Sequence, residues 1–493
     1  MHTLRSKPPE FDPCPPGQLG GQYRPLSDQD IDAIYQTALR ILGELGMGES
    51  PAVLIEQAVS KGAFLNGEGR LCFPAAMIED VIANACKRFT YCGRESKHDF
   101  DVGGDRTYFG TGGAAVQTLD LETGTYRAST LNDLYDFARL TDTLNNVSWF
   151  TRCCVATDVP NNFELDINTA YALLLGTTKP VGTSFFNAEH VEPVVRMFDM
   201  ALGGAGKFRQ RPFCKAHISP VISPLRYGAD AVEVALACME QGMPINNIVA
   251  AQSGATSPAT IAGMLASTLA ETLAALLMVN VFQPGYPMIF SNWPLVIDLR
   301  TGAFAGGGGE ISLLNAASAQ LSNWLGLPSG VACSMADAKA VDAQMGMEKA
   351  MSAVATGLAG GNMIYESSGM TASLLGASFE AFLIDDEMLS HVYRMMRGVE
   401  GTEETLGYQA IREAIAGEGH FLGGQHTMAA MQRDHFYPKL ADRQDPRTWE
   451  GLGKEDLWRK ANREAREVLS AHKPRYLSTE ADRKIRNEFA VKL

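Results

Sequence analysis

The chain of 493 residues is 46% hydrophobic and 20% charged, the mix of an ordinary globular protein, which excludes disordered and fibrous classes. Its 42 Lys and Arg against 56 Asp and Glu leave a net charge of −14 with no long basic run, so nucleic acid is not an expected partner. The opening MHTLRSKPPEFDPCPPGQLGG lacks the apolar core of a secretory signal, and the nine cysteines form no C-x-x-C pair, which together predict reduced thiols and a cytoplasmic location.

In chain order, Ser27 and Asp28 open a predicted helix over 30–45, with Ile31, Ile34, Ala38, Ile41, Leu42 and Leu45 on one face, and further helices follow at 51–60 and 74–87. Residues 1–100 therefore read as an N-terminal helical extension. From 101 to 400, β-rich runs at 106–110, 147–154, 181–186, 213–217, 245–252, 288–292, 330–333 and 362–366 alternate with helical patterns. Those patterns lie at 131–143, 165–175, 190–202, 229–241, 261–282, 311–325, 343–359 and 379–397. The stretch 261–282 is apolar enough to resemble a membrane span, but Glu271 near its centre predicts a buried helix of a soluble fold. Pro180, Pro212, Pro244, Pro287 and Pro328 each stand at the start of a proposed strand, where a fixed φ and a missing N–H end the preceding helix at little cost. Eight strand–helix units over some 300 residues predict an α/β protein with a (β/α)8 TIM barrel, an open doubly wound sheet being the competitor. Residues 401–493 read as a C-terminal helical extension packed on the barrel, with helices at 402–416 and 454–471 joined by a loop over 420–449.

In a barrel the functional groups stand at the C-terminal ends of the strands. Those ends carry Tyr108, Phe109, Trp149, Phe150, Phe185, Phe186, His217, Ser219, Gln252, Ser253, Asn292, Trp293, Ser334, Met335, Tyr365 and Glu366. Half are aromatic, a density that suits a cage for an organic cation as well as a packed core. No P-loop, GxSxG elbow or HExxH occurs, and FGTGG at 109–113 is too short for a dinucleotide fingerprint. His420 and His426 are six apart and do not form an i, i+4 metal pair, so no metal site is expected. Asp337, Lys339, Asp342 and Glu348 read as the polar entrance to the seventh helix, and AGGGGE at 305–310 as a loop that a bulky group could approach closely.

Three stretches carry a resemblance: LGLPSGVACSMADAKAVDAQMGMEKAMSAVATGLAGGNMIYESSGM (325–370), GHFLGGQHT (419–427) with PKLADR (438–443), and LSDQDIDAIYQTALRILGELG (26–46). They resemble the trimethylamine methyltransferase (MttB) superfamily, over nearly the whole chain. The resemblance implies a barrel that moves a methyl group from a methylated amine to the Co(I) of a separate corrinoid protein. The founding enzymes carry pyrrolysine near the end of the seventh strand; this chain has ordinary residues there, at or beside Ser334. A quaternary ammonium already has a neutral amine as its leaving group and needs no such activation. The resemblance to pyrrolysine-free members thus implies a betaine such as glycine betaine, proline betaine or carnitine.

Ser334 and Glu366 are the expected catalytic residues. Phe185, Phe186, Trp293 and Tyr365 form the pool for the cage, half of them expected to face elsewhere because neighbours on a strand point to opposite sides. His217, Gln252 and Asn292 are the expected donors to the substrate carboxylate. None of the nine histidines has Asp two residues before it, so the corrinoid is expected on a cognate partner protein rather than tightly bound to this chain. A homo-oligomer is expected, and no membrane partner. Two rivals remain open: trimethylamine as the methyl donor, and a quaternary-amine binding protein without turnover. A lyase or aldolase would rest on Lys215 and Glu366.

Overall fold

The computed structural model describes residues 12–493; the opening stretch 1–11 lies outside the described residues. Eight parallel strands follow one another around a single sheet: β1 (Tyr108–Phe109), β2 (Phe150–Thr151), β3 (Val181–Thr183), β4 (Cys214–Ile218), β5 (Ile245–Val249), β6 (Met288–Asn292), β7 (Ser329–Ala332) and β8 (Met363–Tyr365). The order runs from β2 through β3 to β8 and on to β1. The ring closes where Phe109 pairs with Val147 ahead of β2 and the Phe109 carbonyl accepts from the Ser148 N–H at 2.8 Å. This is the TIM barrel that the alternation predicts. The prolines before the strands contribute as acceptors: the carbonyls of Pro180, Pro244, Pro287 and Pro328 take N–H groups from neighbouring strands.

The helices after the strands are α1 (Leu131–Asp142), α2 (Asn162–Gly176), α3 (Val191–Ala201), α4 (Ala229–Glu240), α5 (Ile261–Phe282), α6 (Gly309–Trp324), α7 (Ala343–Ala359) and α8 (Phe379–Arg397). Helix α5 has the bounds read from sequence and is buried almost throughout, because the N-terminal helix Asp28–Arg40 lies across its outer side. That is why it is apolar all round. Its Glu271 accepts from the Ser223 hydroxyl at 2.6 Å and the Leu225 N–H at 2.8 Å, so the buried acid is provided with partners.

Outside the barrel the structure departs from the sequence reading in three places. The N-terminal region is not helical alone: it holds two antiparallel hairpins, Phe64–Leu65 with Leu71–Cys72 and Phe89–Tyr91 with Phe100–Val102. The span 420–449 contains the helices Gln425–Arg433 and Pro446–Gly451, and a further helix, Thr479–Glu488, follows the predicted ones. Strands Gln117–Leu119, Tyr126–Ala128, Met370–Thr371 and Gly376–Ser378 join the loops after β1 and β8 into a small sheet. All of these are short elements whose apolar pattern spans too few residues to show a period. The helix Leu457–Ala471 packs on α8 and α1 through Ala461 and Ala465.

The second of these hairpins closes the N-terminal end of the barrel. The Tyr91 hydroxyl donates to the Val181 carbonyl, and Phe100 lies 4.3 Å from Tyr108 and 6.0 Å from Trp149, centroid to centroid. Among the described residues the lumen is therefore stoppered at its lower end.

Candidate functional site

Along a strand the side chains alternate between lumen and helix layer, so every second residue near the upper end faces inward. On β4 these are Lys215 and His217; on β6, Ser291 and, just beyond, Trp293; on β8, Tyr365; ahead of β2, Trp149. Trp149, His217, Trp293 and Tyr365 converge, with ring centroids 5.2 Å apart for Trp149–Tyr365 and Trp293–Tyr365, 5.6 Å for His217–Trp293 and 5.7 Å for His217–Tyr365. All four come from even-numbered strands. They meet from different heights: Trp149 stands just ahead of β2, His217 and Tyr365 lie within β4 and β8, and Trp293 follows β6, so it is the length of the side chains that brings the rings together.

Lys215 lies below His217 on β4, its Nζ 4.9 Å from the Tyr365 ring, 5.3 Å from Tyr91 and 5.7 Å from Trp149, with a 2.7 Å bond to the Thr151 hydroxyl. Burial pushes this lysine down to about 7. His217 is held neutral, well below its usual value, by burial first and then by the charges of Lys215 and Arg152. Its tautomer follows from a relay. Ser291 donates to Asn246 Oδ1, Asn246 Nδ2 donates to His217 Nδ1 at 3.0 Å, and Nε2 therefore carries the proton.

The ends of β7 and β8 are strained. Ser334 has φ 57° and Glu366 φ 61°, a left-handed conformation that costs a non-glycine residue about 1–3 kcal/mol and gathers at functional sites. Buried partners hold it. Ser352 Oγ accepts from the Ser334 N–H at 2.8 Å, and Lys349 donates to the Ser334 carbonyl at 2.8 Å and to Asp385 at 3.0 Å. Asp385 in turn accepts from the Gly369 N–H at 2.7 Å.

Glu366 is buried, and its Oε2 has no hydrogen-bond partner among the described residues. Burial pushes its carboxyl up to about 8 despite the nearby Lys349. The carboxyl lies so close to the turn after β1 that a Cβ on Gly112 or Gly113 would come within 2.8 Å of it, which accounts for the glycine pair. Trp293 Nε1, in a side chain only 6% exposed, is likewise unpartnered among the described residues.

The structure brings some of the candidates together and separates others. Trp293, Tyr365 and His217 share the ring cluster, and Glu366 and Ser334 stand beside it on neighbouring strands. Phe185 and Phe186 lie off the cluster, walling a cavity of about 120 Å³ whose inner side is His217 and a second of about 150 Å³ that holds Arg152. Asn292 is fully buried with both amide atoms unpaired among the described residues, and alternation puts it on the opposite face of β6 from Trp293. Gln252 stands at the rim after β5, half-buried. Asp342 caps α7, accepting from the Gln344 and Met345 N–H groups, while Asp337 accepts from the Gly306 and Gly307 N–H groups and so ties down the glycine-rich loop. Two residues given no role from sequence now stand out: Trp149, an aromatic just ahead of β2, and Arg152, for which no sequence signal exists.

Residues 13–492 match the family model of trimethylamine methyltransferase (MTTB). The chain belongs to this family. It is 28% identical over 450 residues to the trimethylamine methyltransferase MttB of Desulfitobacterium hafniense strain DSM 10664 / DCB-2, covering 91% of this chain and 90% of that protein. It is also 28% identical over 472 residues to the glycine betaine methyltransferase of D. hafniense strain Y51, covering 95% of this chain and 97% of that one. The solved monomethylamine methyltransferase (MtmB) of Methanosarcina barkeri is 14% identical with a TM-score of 0.44, covering 92% of this chain and 95% of that chain. The family member described here is thus a methyltransferase, and the site at the upper end of its barrel is the candidate for the transfer.

Proposed function

We propose that this methyltransferase takes a methyl group from a quaternary amine of the betaine type and passes it to the Co(I) of a cognate corrinoid protein. The observation that carries the reading is the cluster of Trp149, His217, Trp293 and Tyr365, next to which the carboxyl of Glu366 is held up at about 8. Ring faces attract a methylated ammonium whose charge is spread over its surface, and they exclude water. An ionised carboxylate would instead hold the ground state. The relatives named for trimethylamine and for glycine betaine are both 28% identical to this chain, so identity does not choose between the two donors. The ordinary residues around Ser334 favour the quaternary donor, since a neutral amine leaves without prior activation.

The methyl acceptor fits the geometry. With the lower end stoppered by Tyr91, Phe100 and Tyr108, an acceptor carried by another protein approaches the bound methyl from the C-terminal face. Transfer breaks one C–N bond, its electron pair stays on nitrogen, and the acceptor's pair forms the new bond to carbon. What this chain supplies is orientation and dryness, which suit a displacement that needs no general base. Glu366, protonated near neutral pH, can then give its proton to the amine lone pair that appears, which prevents the reverse attack. Ser334 shapes the end of β7 through its backbone.

The test is turnover of glycine betaine, proline betaine, carnitine and trimethylamine with free reduced cobalamin, followed by the spectrum of the methylated product. Turnover of a betaine well above that of trimethylamine is expected. Equal rates on both overturn the quaternary preference, and binding with no turnover of any donor favours the non-catalytic alternative.

A further inference from the structure

Arg152 follows β2 at the upper rim. Its guanidinium has no ion-pair or side-chain hydrogen-bond partner among the described residues, although burial pushes its pKa down. The acid that acts on it, Asp166 in α2, is engaged through one oxygen: its Oδ2 accepts from His190 Nδ1 at 2.6 Å and from the Phe186 N–H at 3.0 Å. Arg152, Asp166, Ser184 and Phe185 line the 150 Å³ cavity, and Phe185 and Phe186 also wall the 120 Å³ cavity that ends on His217. Arg152 is also near enough to His217 to lower its pKa. Half-buried and facing the cavity, the guanidinium presents a planar fork of donors that matches a carboxylate with two parallel bonds. His217, neutral and carrying its proton on Nε2, adjoins the rings of Trp293 and Tyr365 and also lines the smaller cavity.

We propose that Arg152 is the receptor for the substrate's carboxylate, so that the methyl donor is a zwitterion whose ammonium faces Trp293 and Tyr365 while its carboxylate pairs with this guanidinium. The proposal rests on the quaternary-amine reading above and makes it more specific. It moves the anion-binding role from Gln252 and Asn292 to a residue with a fixed charge, and it gives Phe185 and Phe186 the part of walls along the path between the two ends.

The test is calorimetric binding of glycine betaine, proline betaine, carnitine and tetramethylammonium to the parent protein and to Arg152→Gln and Arg152→Lys. The parent should bind at least one betaine about tenfold or more tightly than tetramethylammonium, which has the same cation and no carboxylate. Arg152→Gln should lose that preference and still bind tetramethylammonium as the parent does, a pattern that general unfolding does not produce. Arg152→Lys, which keeps the charge without the fork, should retain part of the preference. A parent that binds tetramethylammonium as well as the betaines, or an Arg152→Gln variant that keeps the preference, overturns the role of Arg152 and leaves the quaternary-amine reading standing. A parent that binds none of the four overturns both.

Discussion

At the lower end of the barrel the ammonium of Lys179 gives its three N–H groups to the carbonyls of Thr141, Leu144 and Val147, and the Tyr91 hydroxyl is spent on Val181. At the upper end Glu366 Oε2 and Trp293 Nε1 are just as buried and have no partner among the described residues. Both ends contain titratable groups displaced from their usual range: Lys179 is pushed down to about 8, and Glu366 up to about 8, each chiefly by burial. Burial and a displaced pKa therefore do not distinguish a structural end from a reactive one. The distinction lies in which buried groups go without a partner: below they are the neutral oxygens of Thr107, Asn146 and Ser148, whereas above they include an oxygen of the Glu366 carboxyl, and an orphaned carboxyl is the more expensive group to leave unbound.

The contrast can be broken at either end. The largest effect is expected below: Lys179→Met strips three buried carbonyls of their donor and should lower stability by about 3–5 kcal/mol in denaturant melts, while folded protein binds a betaine as before. Glu366→Gln comes next. The proton on Glu366 is held more tightly in the folded than in the unfolded chain, so its contribution to stability is complete below pH 4.5 and is lost as the pH rises toward about 8. The glutamine variant should lack that decline, a difference on the order of 3 kcal/mol at pH 8 and above, measured as the pH dependence of unfolding. In the parent, turnover should fall as the pH passes about 8, if the proton on this carboxyl is the one given to the leaving amine. Trp293→Phe, which keeps a ring but a poorer one for cations, should weaken betaine binding about tenfold by calorimetry. Phe186→Ala should change least. The side chain is 49% exposed, so stability should stay within about 0.5 kcal/mol, and any loss of betaine affinity reports on the wall between the two cavities.

A substitution at Tyr365 is less informative than its place in the ring cluster suggests. The residue is fully buried, so Tyr365→Ala carries the cost of emptying a core position, about 3–5 kcal/mol, together with any loss of binding. From sequence alone a rim aromatic looks removable at little cost to folding; its depth in the lumen is what makes it otherwise.

The sequence by itself determined the barrel. Strand and helix periods are local, prolines mark the strand starts, and eight repeats of one unit leave few ways to close a sheet, so β1 to β8 and even the bounds of α5 could be read before any contact was known. It also put Glu366 and Ser334 just past strand ends, since strand ends are countable. What it could not decide is which inward residues meet. Phe185, Phe186 and Tyr365 look alike as aromatics at strand ends, but closure of the barrel brings Trp149, His217, Trp293 and Tyr365 together from alternate strands and leaves the pair after β3 outside the cluster. The left-handed turns at Ser334 and Glu366 and the unmatched guanidinium of Arg152 belong to the same class. Each is the outcome of contacts between residues far apart in the chain, to which no local pattern of side chains corresponds.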